Sequence, residues 1–190
     1  PGSFLYVLEQ NNREMEQVLN KIKPVFKLFS KNTNDSFLKN ELFLLFEKLE
    51  VFVTHYVIKE NVLFPVIEKT WPDYRCLQIM WSFHDYIRRN IRFILENLKS
   101  DISDVKEFNR RVGDVFFNMM AIKFREERIL FPTILSTISA SQLEDMNCEG
   151  FEIGYPYIQP EKPDLQAVKL SEESGLVNLG TGALTIEQIK

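Results

Sequence analysis

Glycine is almost missing from most of this chain of 190 residues: five of its seven glycines fall at or after Gly150. That scarcity argues against a turn-rich β design and favours long uninterrupted helices. Cysteine is equally sparse. Cys76 and Cys148 stand far apart, which excludes a disulfide framework and reads as two reduced thiols of a cytoplasmic protein. No apolar run approaches the ~20 residues needed to span a membrane, and no signal peptide is legible, so no membrane partner is expected. There is no long basic run and the net charge is −4, which makes nucleic acid a poor partner. Histidine occurs only twice, at His55 and His84. What the chain does have is apolar mass: hydrophobic residues make up 45% and phenylalanine is counted 16 times, enough for one sizeable core.

The apolar residues recur on helical seams. Phe4, Leu8, Met15, Val18, Ile22, Val25 and Phe29 form the first, broken at Asn11. Leu38, Leu42, Leu45, Leu49, Phe52, Tyr56, Leu63 and Val66 form the second, broken at Lys59. Leu77, Trp81, Ile91, Leu95 and Leu98 form the third, with His84 and Arg88 in the gap. Phe108, Val112, Val115, Met119, Ile122 and Ile129 form the fourth, with Glu126 in the gap. Short polar joints, "KNTNDS" (31–36) and "SDISD" (100–104), separate first from second and third from fourth. Joints this short force neighbours antiparallel. The expected fold class is all-α: an up-down-up-down four-helix bundle over 1–139, then a short extra helix and an extended C-terminal strap over 140–164. Ser141 and Glu144 are the expected cap of the extra helix. Residues 165–190 read as a linker, with Thr185 and Gln188 opening a further helix that leads towards another domain. Pro24, Pro65 and Pro132 should each kink or end a helix. Met119-Met120 and the phenylalanine-rich stretch 41–53 read as core packing.

The seam-breaking residues share one height. Up-down topology brings Asn11, Lys59, His84 and Glu126 level, and helical spacing adds His55 and Arg88. A polar layer drawn from every helix is where bundles keep metals or cofactors. It is also an arrangement that satisfies itself, for instance through a Lys59–Glu126 ion pair.

Two stretches end alike: "HYVIKENVLFP" (55–65) and "IKFREERILFP" (122–132). Together with "IMWSFHDYIRR" (79–89), "FEIGYPYIQP" (151–160) and "VNLGTGALTIEQI" (177–189), they resemble the hemerythrin-like (HHE cation-binding) domains, in the branch that carries a C-terminal PAS sensor domain. The resemblance implies a bundle built of two similar helix pairs, which accounts for the repeated ending. It also implies a metal site, and the partner it implies is a PAS-like domain of the same chain, with a homodimer as a further possibility. Diiron members place a histidine on the first helix, His-x3-Glu on the second, His-x3-His on the third, and a histidine with a carboxylate on the fourth. The corresponding positions here are Ser3 and Asn11, His55 and Lys59, His84 and Arg88, and Ile122 and Glu126. His55, His84 and Glu126 therefore remain as metal or haem ligands, with Asn11, Lys59, Glu60, Arg88 and Glu127 as further site residues.

Charge argues against a diiron centre, because Lys59 and Arg88 face one seam carboxylate and a cation beside a metal dication costs several kcal/mol even at an effective dielectric of ~20. Three readings stay open. An iron or zinc ion sits on His55, His84 and Glu126 with Lys59 turned outward. A haem is ligated by His55 or His84, its propionates near Lys59 and Arg88. Or the bundle is degenerate and ligand-free, a structural or dimerisation module. An enzyme is not expected: no nucleophile–base pair or glycine-rich phosphate loop is legible.

Overall fold

A computed structural model describes residues 3–73, 76–160, 176–178 and 183–185. The chain divides into two compact units, 1–159 and 160–190. Within the first, every regular element among the described residues is helical: α1 (Phe4–Phe29), α2 (Ser36–Glu50), α3 (Val53–Ile58), α4 (Phe64–Thr70), α5 (Cys76–Lys99), α6 (Val105–Arg125), α7 (Phe131–Thr137) and α8 (Ala140–Ile153). Helices α1 and α2, α2 and α5, and α5 and α6 pack side by side as a helical bundle. None of the helices described is long and apolar enough to cross a membrane.

Local chemistry starts the helices where the polar joints lie. Asp35 accepts hydrogen bonds from the backbone N–H groups of Phe37 and Leu38, and Asp104 accepts one from Glu107. The cap of α8 is Ser139, reciprocated by Gln142, and not Ser141 with Glu144. Both serines precede a polar residue at the right spacing, and the extended backbone of Ser139 selects the earlier one. Gly154, at φ +88°, ends α8 in a conformation that side chains disfavour.

The second and fourth seams are not simple α-helices. A π-turn, Lys59–Leu63, joins α3 to α4, and another, Glu126–Leu130, joins α6 to α7. In each, the N–H of the next phenylalanine, Phe64 or Phe131, reaches back to the carbonyl of Lys59 or Glu126. Pro65 and Pro132 then fall in the first turn of α4 and α7, where a missing N–H is tolerated. Pro24 lies inside α1, which continues to Phe29.

The core comprises two apolar clusters. One holds Met15 to Phe29 of α1, Leu42 to Tyr56, Ile87 to Leu98 and Phe108 to Ile122. The other holds Phe4 to Leu8, Ile58 to Ile67, Leu77 and Met80, and Leu130 to Ile138, with Met146 and Tyr155. Several seam assignments shift. Ile67 is buried where Val66 is half-buried, because the first π-turn inserts a residue and rotates the helix beyond it; within the second, Leu130 is buried and Ile129 is 54% exposed. Met80 is buried beside a more exposed Trp81, and Met120 faces out while Met119 faces in.

The second unit contains an antiparallel pair, β1 (Leu176–Asn178) and β2 (Ala183–Thr185), with Val177 opposite Leu184, in place of the plain linker expected from composition. Thr185, the expected helix cap, is the last residue of β2, and the helix it would open lies outside the described residues.

Candidate functional site

Between the two apolar clusters, each helical rod changes from one cluster to the other at a polar residue. Asn11 and Asn12 do so on α1, His55, Lys59 and Glu60 at α3 and its π-turn, His84 on α5, and Glu126 at the second π-turn. All seven are buried.

Lys59 and Glu126 are both wholly shielded from solvent, and the Lys59 ammonium donates to Glu126 Oε1. The other oxygen, Oε2, accepts from Asn12 Nδ2 at 3.1 Å. Lys59 and Glu126 open the two π-turns, so equivalent positions of the repeated ending carry opposite charges and meet. Beside them, Glu60 bridges two partners: Oε1 lies 2.8 Å from His84 Nδ1, and Oε2 accepts from Arg88 at 2.5 Å. Arg88 also reaches Asp85 at the surface. Two carboxylates therefore face two fixed cations, and the layer is electrically balanced with both imidazoles neutral.

Both imidazoles are held neutral. Burial, aided by the nearby Lys59 ammonium, lowers the His55 pKa well below its usual value. Burial, and after it Lys59 and Arg88, lowers that of His84, since the Glu60 charge beside it is already balanced by Arg88. A neutral His84 donates its Nδ1 proton to Glu60, which leaves Nε2 as an acceptor. Aromatic rings cover the imidazole faces. Phe52 stacks on His55 at 4.6 Å, and Tyr56 and Phe64 stack on His84 at 4.2 and 5.7 Å. The Lys59 ammonium stands 4.7 Å from the centre of the Tyr56 ring. Both ring nitrogens of His55, His84 Nε2 and the Tyr56 hydroxyl are buried without a protein hydrogen-bond partner.

The expected site residues divide. His55, Lys59, Glu60, His84, Arg88 and Glu126 come together. Asn11 does not join them. Its amide donates to the carbonyls of Val7 and Ile158 and accepts from the N–H groups of Tyr157 and Ile158, so it ties the segment after α8 to α1. Asn12, the neighbour that the seam pattern passes over, takes the place on Glu126. Glu127 turns away to pair with Lys123 at 2.8 Å. Ser3, at the N-terminal end of α1, is exposed. Tyr56 is a plain seam residue by spacing, and only its position directly after His55 hints at a polar role.

These residues do not fit a metal as they stand. Lys59 points inward onto Glu126, so the condition for a three-residue site, an outward Lys59, is not met. Among the described residues, no group of three or more His, Cys, Asp or Glu side chains is placed to hold a metal ion. A dication added to this charge-balanced, buried layer would displace the Lys59 charge or face it at close range. A haem iron would bind a ring nitrogen at the imidazole edge, and a macrocycle could reach His55 or His84 only by displacing packed side chains, since both residues are wholly buried with Phe52, Tyr56 and Phe64 stacked on them. Comparison with protein-family models and with curated proteins finds no match for the chain.

Proposed function

We propose that the first unit is a hemerythrin-like, up-down-up-down four-helix bundle in which a lysine ammonium takes the metal's place, and that it serves as a structural module beside the sensor domain of a cytoplasmic signalling protein. The topology is supported by the order of the two apolar clusters, which reverses along successive rods. The observation that carries the functional reading is the Lys59–Glu126 pair, at equivalent positions of the repeated ending and wholly out of water. A cation that belongs to the protein balances the carboxylate a metal would need.

The test is metal analysis and a visible spectrum of one purified sample, before and after incubation with ferrous iron, zinc or haem. The expected result is a colourless protein with far less than one equivalent of metal and no Soret band after any incubation. Near-stoichiometric iron, zinc or haem would overturn the reading. Lys59→Glu, which replaces the ammonium with a second carboxylate, is expected to take up iron or zinc where the parent chain does not.

A second reading, in which the module binds and senses a metal or haem, is favoured by His55, whose two ring nitrogens are buried without a protein partner. It requires the layer to rearrange on binding. Haem or metal uptake by the parent chain, lost in His55→Ala and His84→Ala, is the result that would establish it.

A further inference from the structure

The segment that follows α8 leaves the helix at Gly154, whose φ of +88° is the one positive value among the described residues. It then closes on itself. The Gln159 side chain donates to the Tyr155 carbonyl and accepts from the Tyr155 N–H at 3.3 Å, so residues 155–159 form a braced loop. Tyr155 is rooted in the second apolar cluster. The far end of the loop is held by hydrogen bonds: three with the Asn11 side chain, at 2.9 to 3.0 Å, and one from the Tyr157 hydroxyl to the Lys48 carbonyl at 2.7 Å. Ile158 is exposed, and Tyr157 is the side chain that this end packs on the first cluster.

Beneath the Tyr157 ring lies the polar layer. Tyr157 stacks on Phe52 at 6.0 Å and Phe52 stacks on His55 at 4.6 Å, with ring planes 22° and 20° apart. Tyr157 is half-buried, whereas Phe52 and His55 are wholly buried, so His55 stands two rings in from the loop. Both His55 ring nitrogens are buried without a protein partner. A neutral imidazole has one proton to donate and one lone pair with which to accept, and the shut loop strands both. Lifting the loop lets water satisfy them, at the cost of the ring stack and the Asn11 bonds. These opposing terms keep the open arrangement within reach of the closed one. His84 is placed differently: its Nδ1 is bonded to Glu60, and Tyr56 and Phe64 cover its faces.

We propose that residues 155–159 are a lid on the polar layer, hinged at Gly154 and latched by Asn11, whose opening admits water and small uncharged molecules to His55 and not to His84. Latch and layer are joined on α1, because Asn12, next to Asn11, holds Glu126. The lid stands apart from the question of what the layer holds, since it needs only the loop and the ring stack beneath it.

Diethyl pyrocarbonate, a small neutral reagent that acylates uncharged imidazole, tests this on the intact chain near neutral pH. Mass spectrometry of the two histidine peptides gives a rate for each ring. In the parent chain His55 is expected to react faster than His84, which reports opening of the whole bundle. Asn11→Leu removes the latch and is expected to speed His55 by roughly tenfold or more, with His84 unchanged. Tyr157→Ala removes the outer ring of the stack, leaves Asn11 in place, and is expected to act in the same direction. A parent chain in which His55 reacts no faster than His84 overturns the proposal. So does a His55 rate that neither variant raises, or a rise that His84 shares equally.

Discussion

Burial lowers the Lys59 pKa from the usual lysine value, and its attraction to Glu126 pulls in the other direction. The pair is costly to bury, and such a pair holds its place because each partner is worse off alone. Lys59→Met should leave the Glu126 carboxylate in the core with only Asn12 as partner, and lower unfolding free energy by ~3–5 kcal/mol. Adding Glu126→Gln should recover most of that loss, since it removes the stranded charge. Urea unfolding of the two single variants and the double variant checks this; additive losses would mean the side chains act separately. The pairing is legible from the repeated ending, which aligns Lys59 with Glu126. The choice between Asn11 and Asn12 is not, because adjacent asparagines differ only in which way the helix turns them.

Helix ends are mostly written in side chains, and helix interiors are not. Asp35 and Asp104 cap where the polar joints predict. The π-turns are not legible in the sequence, because the phenylalanine-proline endings mark only where the ordinary hydrogen-bond pattern must change, and the extra residue appears in no local propensity. The first π-turn swings the apolar residues beyond it by one position, which is why Ile67 packs inside in place of Val66. Asn11 controls another element, the segment 154–160. Its side chain makes four hydrogen bonds, three of them to Tyr157 and Ile158. Asn11→Leu should cost ~2–4 kcal/mol, at about one per bond, and release that segment from α1. Hydrogen exchange is the readout: the amides of Tyr157 and Ile158 should lose protection well before those of α5 and α6. Unchanged protection at both would show that Tyr155 and the Tyr157–Lys48 bond hold the segment unaided.

Acid should destabilise the whole bundle earlier than its surface carboxylates alone would. Burial first, then Lys59 beside both rings and Arg88 beside His84, keeps His55 and His84 neutral in the folded state, even with Glu60 2.8 Å from His84 Nδ1. Both acquire a proton in the unfolded chain below pH ~6.5. Lowered folded pKa values mean that the unfolded state binds more protons, so stability is full above that pH and falls below it. The slope should approach ~1.4 kcal/mol per pH unit for each histidine, or about twice that for both, before carboxylates contribute. Urea unfolding at a series of pH values measures it. His55→Phe should halve the slope while keeping the ring stack on Phe52. A stability that is flat from neutrality to pH ~5 would mean that the rings take up protons as readily in the folded protein as in the unfolded chain.

The residue order is enough to establish an all-helical first unit, its polar joints and a polar layer crossing the apolar seams, because helical period and glycine content are properties of neighbouring residues. Which partners that layer holds is settled only in three dimensions. His55, Lys59, Glu126, Glu60 and Arg88 read equally well as a ligand set or as a charge-balanced cluster, since spacing says which side chains share a height and not which touch. Lys59 and Glu126 open π-turns far apart in the chain and meet in the layer, where two carboxylates and two cations are matched as Lys59 with Glu126 and Arg88 with Glu60.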